Sequence, residues 1–206
     1  MAKVLLISVN DVNAEGIRNL SANLKQGGHK TYVLFLKKYD TGKEHFATRK
    51  KIEKYDWVGI DKKGKAFRYC RGPEVTDTEK KLLLSLIKEI KPDLIGFSVN
   101  TPLKKRIAEI SRLIKNIHNI PIIWGGAAPT IDVDDCLNDC DIVCVGEGEK
   151  SITDIATRID SKKDIKGVKN LAYLKNGSRP GANPDISCLC RPSVIWSPFI
   201  PISMPW

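Results

Sequence analysis

Short apolar runs alternate along the chain with stretches whose apolar residues recur every three or four positions. Residues 4–9, Val-Leu-Leu-Ile-Ser-Val, make an apolar run of strand length. Residues 14–26 put Ile17, Leu20 and Leu24 on one face of a helix, and Gly27-Gly28 stops it. A second strand is expected at 31–36. A helix follows at 79–91, with Leu82, Leu83, Leu86, Ile87 and Ile90 apolar and Pro92 ending it. The pattern then gives a strand at 94–99, a helix at 103–117, strands at 121–124 and 142–145, and a helix at 150–159. Residues 171–174 are a candidate for a last, edge strand.

Strands that alternate with helices pair in parallel through right-handed crossovers. The central runs are apolar throughout, as strands covered on both faces must be. The expected fold is α/β: a flavodoxin-like, Rossmann-like open parallel sheet of five strands with helices on both faces. A ligand site on such a sheet lies outside the carboxyl ends of the strands, at the switch point between the first and third.

Two segments break the alternation. Residues 37–75 are an insertion, in which 57–60 and 66–69 flank Asp61-Lys62-Lys63-Gly64-Lys65 and read as a β-hairpin. It follows the second strand and so sits on the ligand edge, either as a lid or as a plain surface hairpin. Residues 176–206 hold six of the eleven prolines and no periodicity. They read as a proline-rich tail or truncated linker after a domain spanning 1–175. No internal repeat is found.

Composition changes this picture little. The chain has 206 residues, 42% hydrophobic and 28% charged, enough to bury a core without staples. No apolar run reaches membrane-spanning length, and the run after Lys3 is too short for a signal peptide. The expected location is cytoplasmic, with no membrane partner. The net charge of +10 raises the question of nucleic acid. The lysines, however, fall in scattered pairs such as Lys80-Lys81 and Lys104-Lys105, without interleaved aromatics, so no nucleic-acid partner is expected.

Candidate chemistry gathers in the turns at the carboxyl ends of the strands. They read Asn10-Asp11-Val12-Asn13-Ala14-Glu15-Gly16, Ser98-Val99-Asn100-Thr101-Pro102, Gly125-Gly126-Ala127-Ala128-Pro129-Thr130 and Gly146-Glu147-Gly148-Glu149. Small residues there let backbone approach a large ligand and leave room for an inserted group, and helix N-termini favour anions. Tight turns also need glycine for their own sake, but four such turns on one edge point to a ligand site. Asp11 either contacts the ligand or caps the helix that follows. Glu147 and Glu149 either accept hydrogen bonds from the ligand or serve as acids at a helix start.

These turns resemble those of cobalamin (vitamin B12)-binding domains. Asp11-x-Asn13-x-x-Gly16 stands where that family carries Asp-x-His-x-x-Gly. Residues 91–98, Lys-Pro-Asp-Leu-Ile-Gly-Phe-Ser, Trp124-Gly125-Gly126-x-x-Pro129-Thr130 and Val145-Gly146-Glu147-Gly148-Glu149 resemble the N-terminal domain of cobalamin-dependent radical SAM proteins. The resemblance covers about residues 1–176. It implies a corrin over the carboxyl edge, with its dimethylbenzimidazole tail in a slot lined by the small residues Ser98, Gly125 and Gly126. The cofactor-binding set it implies is Asp11, Asn13, Gly16, Ser98, Val99, Asn100, Thr101, Gly125, Gly126, Ala127, Pro129, Thr130, Gly146, Glu147, Gly148 and Glu149.

The departures carry their own expectations. The family histidine ligates cobalt from below, and Asn13 takes its place; an amide is a poor ligand beside imidazole. No protein metal ligand is therefore expected. His29 and His118 precede strands at the opposite edge and read as surface residues, while His45 lies in the insertion. Many relatives carry histidine where Ala128 stands.

Cys136-x-x-x-Cys140-x-x-x-Cys144 differs from the radical SAM motif Cys-x-x-x-Cys-x-x-Cys by one residue in the second gap. Cys144 also falls inside a strand and points away from any shared site. The three read as small buried hydrophobes plus a surface thiol. Cys188-x-Cys190 is too close-set for a structural zinc site without partners.

The resemblance thus implies a cobalamin-binding module without catalytic residues of its own, presenting cobalt to a radical SAM domain for methyl transfer or oxidative cyclisation. An iron–sulfur cluster and S-adenosylmethionine would belong to that domain, in cis if the chain is truncated or in trans on a partner. The alternatives are a folded α/β fragment without ligand, and another flavodoxin-like nucleotide- or flavin-binding protein. A phosphoacceptor receiver is disfavoured because Asp11 lacks a second acid and Ser98 ends the third strand. A flavin carrier is disfavoured because the first turn has no hydroxyl residue.

Overall fold

The computed structural model describes residues 1–9, 14–36, 58–60, 66–68, 75–165 and 167–173. Asp11, Asn13, His45, Cys188, Cys190, most of the insertion and the proline-rich tail lie outside the described residues.

The chain runs β1 (Lys3–Val9), α1 (Glu15–Gln26), β2 (Lys30–Leu36), the hairpin strands β3 (Val58–Ile60) and β4 (Ala66–Arg68), and α2 (Asp77–Ile90). It continues through β5 (Leu94–Ser98), a 3-10 turn (Thr101–Leu103), α3 (Lys104–Ile117) and β6 (Ile122–Gly125). The last elements are α4 (Ala127–Ile131), α5 (Val133–Cys136), β7 (Ile142–Cys144), α6 (Glu149–Asp160) and β8 (Leu171–Tyr173). The sheet order is β2-β1-β5-β6-β7-β8, and β3 pairs with β4 as the expected antiparallel hairpin. The first five sheet strands are parallel, and β8 joins β7 antiparallel as a sixth, edge strand. Strand order reverses between β1 and β5, which places the switch point as expected.

Strand geometry divides the core in two, because successive side chains point to opposite faces. Leu5, Ile7, Ile95, Phe97, Ile122, Trp124 and Val143 share one core with α2, α3 and the segment around Cys136 and Leu137. Val4, Leu6, Leu94, Ile123, Ile142 and Cys144 share the other with Ile17 and Leu24 of α1 and Ile152, Ile155 and Ala156 of α6. In the first core the fully buried Trp124 indole N–H donates to Ser111 Oγ at 3.0 Å, so its polar atom is satisfied. Arg112 of α3 pairs with the buried Asp139 at 2.6 Å and ties that helix to the turn before β7.

The helix α2 starts two residues earlier than its apolar pattern suggests, because Thr76 caps it. Glu79 N donates to Thr76 Oγ1 at 3.3 Å and Thr76 N donates to Glu79 Oε2 at 2.7 Å, a reciprocal capping box. Two short helices, α4 and α5, follow the Gly125-Gly126 turn where no periodicity marked them, being too brief to establish one. Among the described residues, no helix is long and apolar enough to cross a membrane.

Candidate functional site

The parallel register sets the floor of a slot. Leu6 of β1 lies opposite Gly96 of β5, and Gly96 lies opposite Ile123 of β6. All three line one cavity of about 170 Å³ on the face covered by α1 and α6. Nearer the carboxyl rim, Ser98 pairs with Gly125, and Cys144 of β7 stands beside them. Gly16, Ile17 and Leu20 of α1 form one wall and Glu149 and Ile152 of α6 the other, with Gly146, Glu147 and Gly148 at the mouth. The volume is below the roughly 300–1,000 Å³ of a pocket that encloses a whole drug-sized ligand. A cavity of this size has room for one arm of a larger ligand and not for the whole of it.

What a Cβ would meet at each glycine separates two roles. At Gly16 and Gly146 it would meet nothing within 4 Å. At Gly125 it would make ordinary contact with Cys144 Cβ at 3.8 Å, and at Gly148 with Cys144 Sγ and Leu20 Cδ2 at 3.6 Å. Packing of the chain itself therefore tolerates a Cβ at these four positions, all of which line the slot, but Gly146, at φ 73°, holds a backbone conformation that favours glycine for its own sake. Gly126 differs. Its φ of 106° is one that side-chain-bearing residues rarely adopt, and a Cβ would lie 3.0 Å from Val99 O. Its smallness serves the backbone of the neighbouring turn as well as any ligand.

Of the residues expected to bind a cofactor, the structure brings Gly16, Ser98, Gly125, Gly126, Gly146, Glu147, Gly148 and Glu149 together on the slot. Val99, Asn100, Thr101, Ala127, Pro129 and Thr130 are not among its lining residues. Val99 is buried in the opposite core and braces the rim: its N–H donates to Gly125 O at 2.7 Å, and its carbonyl accepts Ala128 N–H at 3.0 Å. Thr130 links Gly126 and Gly146 through its hydroxyl. Asn100, Thr101 and Ala127 are exposed at the carboxyl edge, and Pro129 is buried within α4. Glu149 opens α6 as an acid in its first turn, favourable for the helix dipole whether or not it meets a ligand.

Sequence reasoning missed the floor and walls: Leu6, Ile17, Leu20, Gly96, Ile123, Cys144 and Ile152. Gly96 carried a signal, because a glycine inside a strand marks a close approach. A Cβ there would sit 2.9 Å from Leu6 Cδ2. The aliphatic residues carried none, since their pattern is that of any core.

Two expectations are corrected. His29 is not a surface residue: it is buried between β2 and α6 at the amino edge. Its Nε2 lies 3.1 Å from Thr157 Oγ1, whose own hydroxyl donates to Thr153 O, so the imidazole is the donor of that bond. His118 is half-buried at the same edge, and neither histidine is near the slot.

Nor is there a surface thiol among Cys136, Cys140 and Cys144: all three are buried. Cys144 does face away from the other two, across the sheet. Burial raises the thiol pKa of Cys136, lifts that of Cys140 well above the ordinary range, and pushes Cys144 up to about 11. All three are therefore protonated near neutrality, unlike thiolate ligands. Among the described residues, no group of three or more His, Cys, Asp or Glu side chains could hold a metal ion.

Residues 68–156 match the family model of the B12 binding domain. The match includes the turns at Ser98, Gly125 and Gly146. An uncharacterised methyltransferase of Pyrococcus horikoshii, PH0819, is 26% identical over 99 residues, which are 46% of this chain and 22% of that protein. The fold is similar to that of the radical S-adenosylmethionine methyltransferase TsrM from Kitasatospora setae, solved with cobalamin and a [4Fe-4S] cluster. There the TM-score is 0.59 at 19% identity, over 89% of this chain and 30% of that one. It is also similar to the cobalamin-dependent S-adenosylmethionine radical enzyme OxsB, with TM-score 0.57 at 17% identity, over 85% of this chain and 21% of that one. The chain thus spans less than a third of each of these relatives.

Proposed function

We propose, starting from the B12-binding match over residues 68–156 and the slot at the switch point, that this chain is a cobalamin-binding module serving a radical SAM catalytic domain. The observation that carries the reading is the cavity lined by Gly16, Gly125, Gly146 and Gly148, at the edge where such a sheet takes its ligands. The residues fit the group. Leu6, Leu20, Ile123 and Ile152 would hold the nucleotide base by dispersion and burial. The hydroxyls and amides at the rim, Ser98, Asn100 and Thr101, would meet the polar edge of the corrin, with Asp11, Asn13, Val99, Ala127, Pro129 and Thr130 completing the surrounding turns.

Bound cobalamin supplies the chemistry of a cobalt-held methyl group, and the protein supplies position and electrostatics. With Asn13 where cobalamin-binding domains carry histidine, this position would offer cobalt no imidazole. Methyl transfer or oxidative cyclisation, S-adenosylmethionine and an iron–sulfur cluster belong to the proposed catalytic domain. That domain would lie in the same polypeptide or in a partner, and the proposed compartment is the cytoplasm. This chain alone turns nothing over.

The test is direct. The purified chain is mixed with hydroxocobalamin, desalted, and its visible spectrum recorded. Retained corrin absorbance at one equivalent supports the reading; a colourless protein overturns it. Flavin retention in the same assay would favour the other flavodoxin-like reading.

A further inference from the structure

We infer that the slot selects corrinoids by their lower base, taking an apolar benzimidazole-type base and rejecting a purine. The inference rests on the corrinoid reading of the site and goes beyond it by naming which ligands the site accepts. The deep half of the slot is the row Leu6–Gly96–Ile123 flanked by Leu20 and Ile152. These side chains offer no hydrogen-bonding atom.

The polar side chains stand toward the rim, where Ser98 and Glu147 are exposed and Glu149 half-buried. Deeper, the lining among the described residues offers one side-chain heteroatom, Cys144 Sγ, a weak donor and weak acceptor. Its thiol stays protonated, since burial raises its pKa to about 11. The backbone along the deep row, and part of it at the mouth, is also engaged. Leu6, Gly96 and Ile123 lie in the ladder, Gly148 O accepts Ile152 N–H at 2.8 Å, and Gly146 N donates to Thr130 Oγ1 at 3.1 Å.

An inserted base therefore gains contact and burial but finds few polar partners. Dimethylbenzimidazole presents methyl and ring C–H edges and loses little by leaving water. Adenine carries an exocyclic amine and further ring nitrogens whose hydrogen bonds to water would not be replaced, and an unsatisfied buried polar group is costly.

The experiment titrates the full chain with hydroxocobalamin, with the analogue carrying adenine in place of dimethylbenzimidazole, and with cobinamide, which has no base. Cobalamin is expected to bind about tenfold or more tighter than either of the others. Equal or tighter binding of the adenine analogue overturns the inference while leaving the cobalamin reading intact, as does cobinamide binding as tightly as cobalamin. No binding of any of the three overturns the corrinoid reading itself.

A second arm uses Gly148→Leu. Position 148 has φ −98°, which any residue adopts, and its side chain would point at Cys144 Sγ and Leu20. Cobalamin affinity should fall about tenfold or more, with cobinamide within about twofold of the parent. Parallel losses for both ligands would show that the base does not enter the slot and would overturn the inference. The three-ligand comparison on the parent chain stands whatever the variant's folding.

Discussion

The Thr130 hydroxyl accepts the Gly146 backbone N–H at 3.1 Å and so ties together two glycine turns that are distant in sequence. The same oxygen donates to Gly126 O at 2.8 Å, which satisfies it in both senses. Thr130→Val keeps the shape and removes both bonds, leaving the Gly146 N–H without that partner. The expected result is a loss of about 1–2 kcal/mol in urea unfolding and severalfold weaker retention of hydroxocobalamin. Thr130→Ser should recover most of both; a valine variant indistinguishable from the parent would mean the link carries no weight.

Adjacent glycines should respond differently to the same methyl group. At Gly126 a Cβ meets the Val99 backbone at 3.0 Å from a conformation with φ 106°. Gly126→Ala is expected to cost about 1–3 kcal/mol of stability. At Gly125 the contact is an ordinary 3.8 Å to Cys144 Cβ. Gly125→Ala should leave unfolding within about 0.5 kcal/mol of the parent while narrowing the slot and weakening cobalamin. Thermal melts and titrations of the two variants check this crossing of effects.

Asn13 lies outside the described residues, and on the proposed reading it takes the place of a cobalt-ligating histidine. In the cobalamin-loaded chain, Asn13→His is expected to shift the visible spectrum toward histidine-ligated cobalt. An unchanged spectrum would place residue 13 away from the metal.

Burial, partly offset by a hydrogen bond to Ser151, pushes the Cys144 thiol from the ordinary 9.0 up to about 11. The unfolded chain thus releases this proton first as pH rises. The contribution to stability is complete below pH 9 and is lost as pH climbs through about 11. Cys136 and Cys140, raised in the same direction by burial, add to the decline. Urea midpoints measured from pH 8 upward should fall over this window, and Cys144→Ala should make the fall shallower. The same burial predicts slow labelling of Cys144 by thiol reagents at pH 8, slower still with cobalamin bound.

Periodicity and turn chemistry alone determined the order of strands and helices, the parallel sheet with its switch point, the hairpin in the insertion, and the edge on which Ser98, Gly125 and Gly146 meet. Those features are local: they follow from which residues alternate, which recur every three or four places, and where glycine ends a run. The register of β1, β5 and β6 is not local, and only the tertiary structure put Leu6, Gly96 and Ile123 in one row as the floor of a slot. Likewise only the assembled turns show Val99 and Thr130 bracing the rim through their hydrogen bonds. His29 changed from surface to core once α6 packed over it. Each outcome depends on pairings between distant segments, whose geometry is set by the packing of both cores at once and by no single stretch of sequence.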